Sequence, residues 1–341
     1  MDSSVKKLTE AAILSSAFII ITMIALSMGL GYGLYLDFVV PIIFALIYFR
    51  CEFKYTLMCG ISSVILILFV LGNFIAAILV SQSFILGLLC GYLIYKKSEI
   101  FDDLYLGAIS SVIFMILIDI YARNIIGYSF IQESQIYINY IKNNPHIFEI
   151  LHGFLPFINI NLEVLYYLLI TTLPFGMVFS VYFISIMSGK RLRILNENGK
   201  RKYFMMRSLK SYGNFMGIKK EYFYLGLGYI VLANLLRLNN ISINNAYLKT
   251  ILICSEYLSY YFIFRDTHIL IGNYINIKYK KRSLNLLYFF VTIVSFLSIF
   301  RIAFLTYVLA AILMDKKFNL REKQKYIVKM HTDELMSMHK I

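Results

Sequence analysis

Ionisable side chains set inside apolar stretches are the natural place to look for chemistry, because each costs about 2.5–3.5 kcal/mol to hold at membrane depth. Glu256 lies in the middle of such a stretch, Lys249 sits seven residues before it, and Arg301 falls inside another. Seven residues are about two helical turns, too far for direct contact along one helix. Glu256 is therefore expected to pair across helices, with Arg301 as a candidate; a proton or ligand site is the alternative. Asp37, Asp119 and Glu163 fall at the ends of apolar stretches on one expected side. Gathered at one mouth, they would attract a cation or an amine-bearing solute; otherwise they are ordinary interfacial carboxylates. Thr171 and Thr172 precede Pro174, which marks a kink whose hydroxyls would serve freed backbone carbonyls or face a ligand.

Other patterns bear on partners and metals. Gly87 and Gly91 form G-x-x-x-G; Ala12 and Ser16 form a small-x-x-x-small pair, repeated one position earlier by Ala11 and Ser15. Such residues let helices approach closely, either within one bundle or between this chain and a separate membrane subunit. His146, Glu149 and His152 recur every third residue, which on a helix spreads them over about 120° and strains joint ligation. No metal site is expected. Cys51, Cys59, Cys90 and Cys254 form no C-x-x-C pair and imply no disulfide framework. Hydrolase, phosphate-loop and dinucleotide fingerprints are missing, so neither catalysis nor a cofactor is expected.

The elements that must position these residues are apolar runs. Hydrophobic residues make up 60% of the 341, and the mean hydropathy is +0.71, well above a soluble domain. A bilayer core about 30 Å thick needs about 20 helical residues, and backbone groups in lipid must pair within their own helix. Runs at 11–30, 38–49, 55–71, 74–95, 104–121 and 162–187 are read as six helices, with a hinge at Gly72-Asn73. Further runs at 222–236 and 246–264 follow, and 284–313 is read as a two-helix hairpin, giving ten crossings; one long helix there would give nine. The fold class is all-α, a polytopic transmembrane helical bundle. Its parts are a six-span domain (1–188), a basic loop (189–221), C-terminal helices (222–314) and a basic tail (315–341).

The net charge of +14 is concentrated between the runs, at Lys6/Lys7, Arg50/Lys54, Lys96/Lys97, 190–220, 278–282 and 316–325. That is the positive-inside pattern, which places both termini and the basic loop in the cytoplasm of a bacterial cell membrane. It argues for lipid rather than nucleic acid as the partner, with anionic lipid at the basic loop. The segment 122–161 then falls outside. There Pro145 would open a short helix, and Ile131, Tyr137, Ile138 and Ile141 would form a stripe on the membrane surface.

The stretch Lys7-Leu-Thr-Glu-Ala-Ala-Ile-Leu-Ser-Ser-Ala17, then Val40-Pro-Ile-Ile-Phe-Ala-Leu-Ile-Tyr-Phe-Arg50, resembles the start of the YybS-like predicted membrane proteins of bacteria. The other end resembles their closing pattern in Asp315, Phe318, Asn319 and Arg321. The first six helices look like the substrate-binding S components of energy-coupling-factor transporters. That similarity implies solute binding or uptake without catalysis, with Ala12 and Ser16 docking a transmembrane coupling subunit that works with an ATPase. The alternative is a membrane scaffold or regulator acting through its basic loop and tail.

Overall fold

A computed structural model of the chain describes residues 3–29, 31–144, 162–238, 245–279, 282–298 and 300–338. The described residues are helical apart from short connections, as lipid requires of a spanning backbone. Five helical stretches are long and apolar enough to cross a bilayer: Ser4–Ser27, Tyr35–Leu71, Phe74–Tyr95, Ile100–Ile126 and Leu162–Arg191.

α1 (Ser3–Ser27) is followed by a π-helical segment, Gly31–Val39, that runs into α2 (Val40–Leu71). The runs 38–49 and 55–71 thus share one helical element, broken at Glu52, whose φ of 68° and ψ of 174° are not helical. Contacts with α1 show what the break does. Glu52 meets Lys7, and Arg50 donates to Glu10 at 3.0 Å. Away from that end, Phe44 packs on Phe18 (4.8 Å between centroids), Tyr35 reaches Thr22 (3.0 Å), and Ser63 reaches Ser15 (2.9 Å). Both arms of α2 therefore lie along α1, and the chain reverses at Glu52. The first arm begins at the π-helical segment, so Asp37 lies within a helical arm rather than at the tip of a short span.

α3 (Phe74–Tyr95) follows the hinge expected from sequence. Gly72 ends α2 with φ 61°, and Asn73 caps α3 by accepting from the Ala76 N–H at 3.1 Å. α3 fills the cleft between the two arms of α2. A Cβ on Gly87 would lie 2.4 Å from the Pro41 carbonyl oxygen, and one on Gly91 would lie 2.8 Å from Tyr48. The G-x-x-x-G thus serves packing inside the bundle. Ala11 and Ser15 do the same on α1, whereas Ala12 and Ser16 are exposed.

α4 (Ile100–Ile126), α5 (Phe130–Asn143) and α6 (Leu162–Arg191) complete the first half. The basic connector folds into α7 (Glu197–Arg207), α8 (Leu209–Tyr212) and a 3-10 turn at Gly213–Phe215. α9 (Lys220–Leu238) packs on α10 (Ala246–Tyr279) and meets α4 where Tyr222 lies 6.4 Å from Tyr105, and α10 packs on α4 and α6. α10 has 34 residues, about 51 Å at 1.5 Å each, so it continues well past the apolar run 246–264. The run 284–313 forms two helices, α11 (Arg282–Ser298) and α12 (Phe300–Phe318), whose rings meet at Tyr288 and Tyr307 (6.1 Å). The start of α12 lies beside Tyr260 of α10, with Phe300 at 5.6 Å and Phe304 at 4.8 Å. The hairpin thus reaches the inner part of that apolar run rather than its far end at Ala246. α13 (Leu320–Met338) closes the fold.

Two outcomes follow from this geometry. Gly87→Val should lower stability by about 1–3 kcal/mol, because backbone lies where the side chain must go; thermal unfolding in detergent measures it. A cysteine at Ser295 should resist an impermeant maleimide added from the face that labels one at Asn73. Labelling of both would mean that the hairpin crosses.

Candidate functional site

The bundle has a basic end, where Lys7, Arg50, Lys96 and the connector gather, and a far end carrying Gly72, Asp119 and Glu163. At the far end Gly127 stops α4 with φ 78°, and Ser129 caps α5 by accepting from the Gln132 N–H at 3.2 Å. Asp119 completes this cap. Its carboxylate accepts from the Ser129 hydroxyl (2.6 Å) and from the N–H groups of Phe130 (2.7 Å) and Ile131 (3.4 Å). The Tyr247 hydroxyl of α10 donates to Ser129 at 3.0 Å. This pins α5 against the bundle. Ile131 is fully buried and Ile138 packs on the core, whereas Tyr137 is 64% exposed. The expected surface stripe is therefore split between two faces. Pro145, His146, Glu149 and His152 lie outside the described residues. Among the described residues no cluster of three or more His, Cys, Asp or Glu could hold a metal.

The cap leaves a cavity of about 570 Å³ between α3, α4 and the start of α5. Ile78, Leu79, Met115 and Ile118 form its apolar wall, with Gln82, Asp119 and Tyr128 as its polar members. A second cavity of about 100 Å³ shares Gln82 and Met115 and runs inward to Pro174 and Met177 of α6. The volume of the larger cavity suits a small solute, and its walls offer apolar surface to bury.

The carboxylates expected to share a mouth have separate duties. Asp119 is engaged by three donors, so its charge is already compensated. Glu163 pairs with Lys249 at 2.9 Å. Asp37, half-buried on the π-helical segment, joins no described hydrogen bond or ion pair with either. A cation site built from all three is not formed, because three different elements carry them and two are neutralised from within. Thr171 is buried and bonds back to the Tyr167 carbonyl (2.6 Å); Thr172 is exposed and bonds to Leu169 (3.2 Å). Neither lines the cavity. Glu256 pairs with Arg237 of α9. Sequence spacing missed this partner because it lies on the neighbouring helix of the same pair. The side chain of Arg301 lies outside the described residues.

The basic end holds charges that sequence reasoning passed over. Asp103, in the first turn of α4, is fully buried. It accepts from Ser98 (2.5 Å) and Tyr182 (2.5 Å) and pairs with Lys202 of α7 at 2.7 Å. Lys202 also donates to the carbonyls of Leu93 (2.5 Å) and Lys96 (2.7 Å). Burial pushes its ammonium below the usual lysine range, and the Asp103 carboxylate opposes that. Asp102 accepts from the Lys219 N–H at 2.9 Å. The readable signal was two acids opening an apolar run just after Lys96-Lys97.

A second buried group fastens the tail. Asp266 of α10 accepts from the Ile218 N–H (2.9 Å) and pairs with Arg321 (2.5 Å), and a Cβ on Gly217 would lie 2.3 Å from its carboxylate. Asp315 accepts from the Arg321 N–H (3.0 Å), Asn319 turns the chain with φ 50°, and Phe318 packs on Tyr274 (5.0 Å). The closing motif Asp315, Phe318, Asn319 and Arg321 is thus a clasp holding α12 and α13 to α10. Connector and tail form a folded layer whose buried charges serve the fold, so Lys202 and Arg321 are not available to an outside partner.

Removing one partner of a buried pair leaves the other uncompensated, at a cost of about 3–5 kcal/mol. Lys202→Met should therefore be strongly destabilising, and adding Asp103→Leu should restore part of the loss. Thermal unfolding of the purified variants in detergent measures both.

Nothing among curated proteins and nothing among solved structures matches the chain. A family model matches residues 16–216, from α1 through the basic connector and its 3-10 turn. That stretch contains the far-end cavity and the Asp103–Lys202 pair, and the match is consistent with the YybS-like resemblance. The chain belongs to the DUF2232 family of predicted membrane proteins.

Proposed function

We propose that this membrane protein binds a small apolar solute in the far-end cavity and passes it on with a partner subunit, without catalysis of its own. The observation that carries the reading is the cavity of about 570 Å³ inside the family-matched half, with mostly apolar walls. Asp119 faces it with its charge already compensated, which favours an apolar cargo over the cation that the carboxylates alone had suggested. The positive-inside rule puts the basic end in the cytoplasm and the cavity toward the outside.

The exposed pair Ala12 and Ser16 supports a partner helix on α1, next to the exposed Val5, Leu8 and Ile13. In the S-component reading that partner is a coupling subunit working with an ATPase. Basic residues at the connector surface such as Lys200, whose side chain is 43% exposed and pairs with its neighbour Glu197 (2.8 Å), suit contact with anionic lipid. The scaffold reading loses weight because the connector's most buried cation, Lys202, is used internally.

The chain has no tryptophan, so Met115→Trp supplies a lone reporter in the cavity wall. A panel of small apolar solutes should contain one that shifts its emission saturably; no saturable response from any solute removes the reading. Ala12→Leu with Ser16→Leu should abolish copurification of a membrane subunit while leaving thermal unfolding unchanged. Retention of the subunit would place its docking surface elsewhere.

A further inference from the structure

A separate cavity of about 220 Å³ lies near the basic end, between the 3-10 turn, α10 and α11. Its polar lining is Asn214, His268, Asn273, Asn276 and Tyr288, with Phe289 at the rim. None of these side chains carries a fixed charge, in a protein of net charge +14. Burial pushes the His268 imidazole below its usual value, toward the neutral form. Each asparagine offers both a donor and an acceptor, as imidazole and phenol also do. The wall is firm: His268 stacks on Tyr288 (5.2 Å) and lies within hydrogen-bond reach of Tyr307 (3.0 Å), and Asn273 donates to the Asn214 carbonyl.

This chemistry excludes some ligands and favours others. Among the described lining residues a phosphate or carboxylate would find no cation, and an amine would find no carboxylate. Hydroxyl groups donate and accept at once, which matches a lining of amides, imidazole and phenol. The volume is below the roughly 300–1,000 Å³ of drug-sized sites, which leaves room for a single ring. Next to the rim, Leu286, Phe289 and Phe290 are exposed and apolar, forming a surface on which acyl chains can lie.

We propose that this cavity binds an uncharged, hydroxyl-rich headgroup the size of one sugar ring, carried by a neutral glycolipid whose chains run along α11. The site is distinct from the far-end cavity and does not depend on the function proposed for it. The full chain in lipid nanodiscs is titrated with monoglucosyl diacylglycerol, methyl glucoside or phosphatidylglycerol, and retained ligand is counted by native mass spectrometry. Saturable retention of the glucolipid, at least tenfold above phosphatidylglycerol, is the expected result. Methyl glucoside retained equally well would support the headgroup chemistry and assign a free sugar as its source. Asn276→Leu should lower retention at least tenfold; Leu117→Ala, an exposed residue remote from the cavity, should not. Equal or better retention of phosphatidylglycerol overturns the proposal, as does glucolipid retention that Asn276→Leu leaves intact in a protein with unchanged thermal unfolding.

Discussion

A charge removed from water must find its opposite or a set of hydrogen bonds, and the basic end of this protein is organised by that demand. Asp103 and Asp266 are both almost completely buried, and each meets a cation from a segment distant in the chain, Lys202 and Arg321. Neither aspartate is tolerable without its partner. The connector therefore folds against the first half and the tail against the second. The Ile218 N–H donates to Asp266 and the Lys219 N–H to Asp102, so that the stretch 217–219 ties one pair to the residue beside the other. The two halves are joined by buried electrostatics, and the basic loop and tail read from the sequence are folded parts of that join.

At the far end the same principle acts on a smaller scale. Asp119 satisfies the first N–H groups of α5, as a capping carboxylate does at any helix start. By fixing α5 it also fixes one wall of the cavity between α3 and α4. A carboxylate that serves as a cap cannot also recruit a cation at full strength. The site's chemistry thus follows from a backbone requirement, and its apolar character is the result. The lack of charge in the described lining of the cavity near the basic end has a similar origin, since the nearby Asp266 and Arg265 are directed to Arg321, Ile218, Met216 and the Phe101 ring.

Several features were legible from residue order. The hinge at Gly72-Asn73 could be read because glycine is the residue most at ease at positive φ and asparagine caps helices well. The break in 284–313 could be read because one helix of that length would misplace the basic tail. The reversal at Glu52 could be read because two crossings separated by the charged stretch 50–54 must run in opposite directions; what the sequence did not show is that the break lies inside one continuous helical element. Small-residue pairs were ambiguous by nature. Gly87 and Gly91 turned inward against Pro41 and Tyr48, Ala11 and Ser15 turned inward against α2, and Ala12 and Ser16 turned out. A shift of one residue on a helix is about 100°, and nothing local says which face meets a neighbour.

The amino-acid order alone determined that this chain is a bundle of membrane helices with its positive charge at one end. Lipid lets a spanning backbone pair its polar groups only in helices or closed barrels, continuous apolar runs of this length fit the helix, and apolar run length needs no partner to be counted. Only the tertiary structure decided which charges meet: Glu256 with Arg237, Glu163 with Lys249, Asp103 with Lys202 and Asp266 with Arg321. Those pairings join residues from 19 to 99 positions apart. They depend on how helices stack, and stacking is set by the fit of whole faces, which spacing along a single helix does not encode.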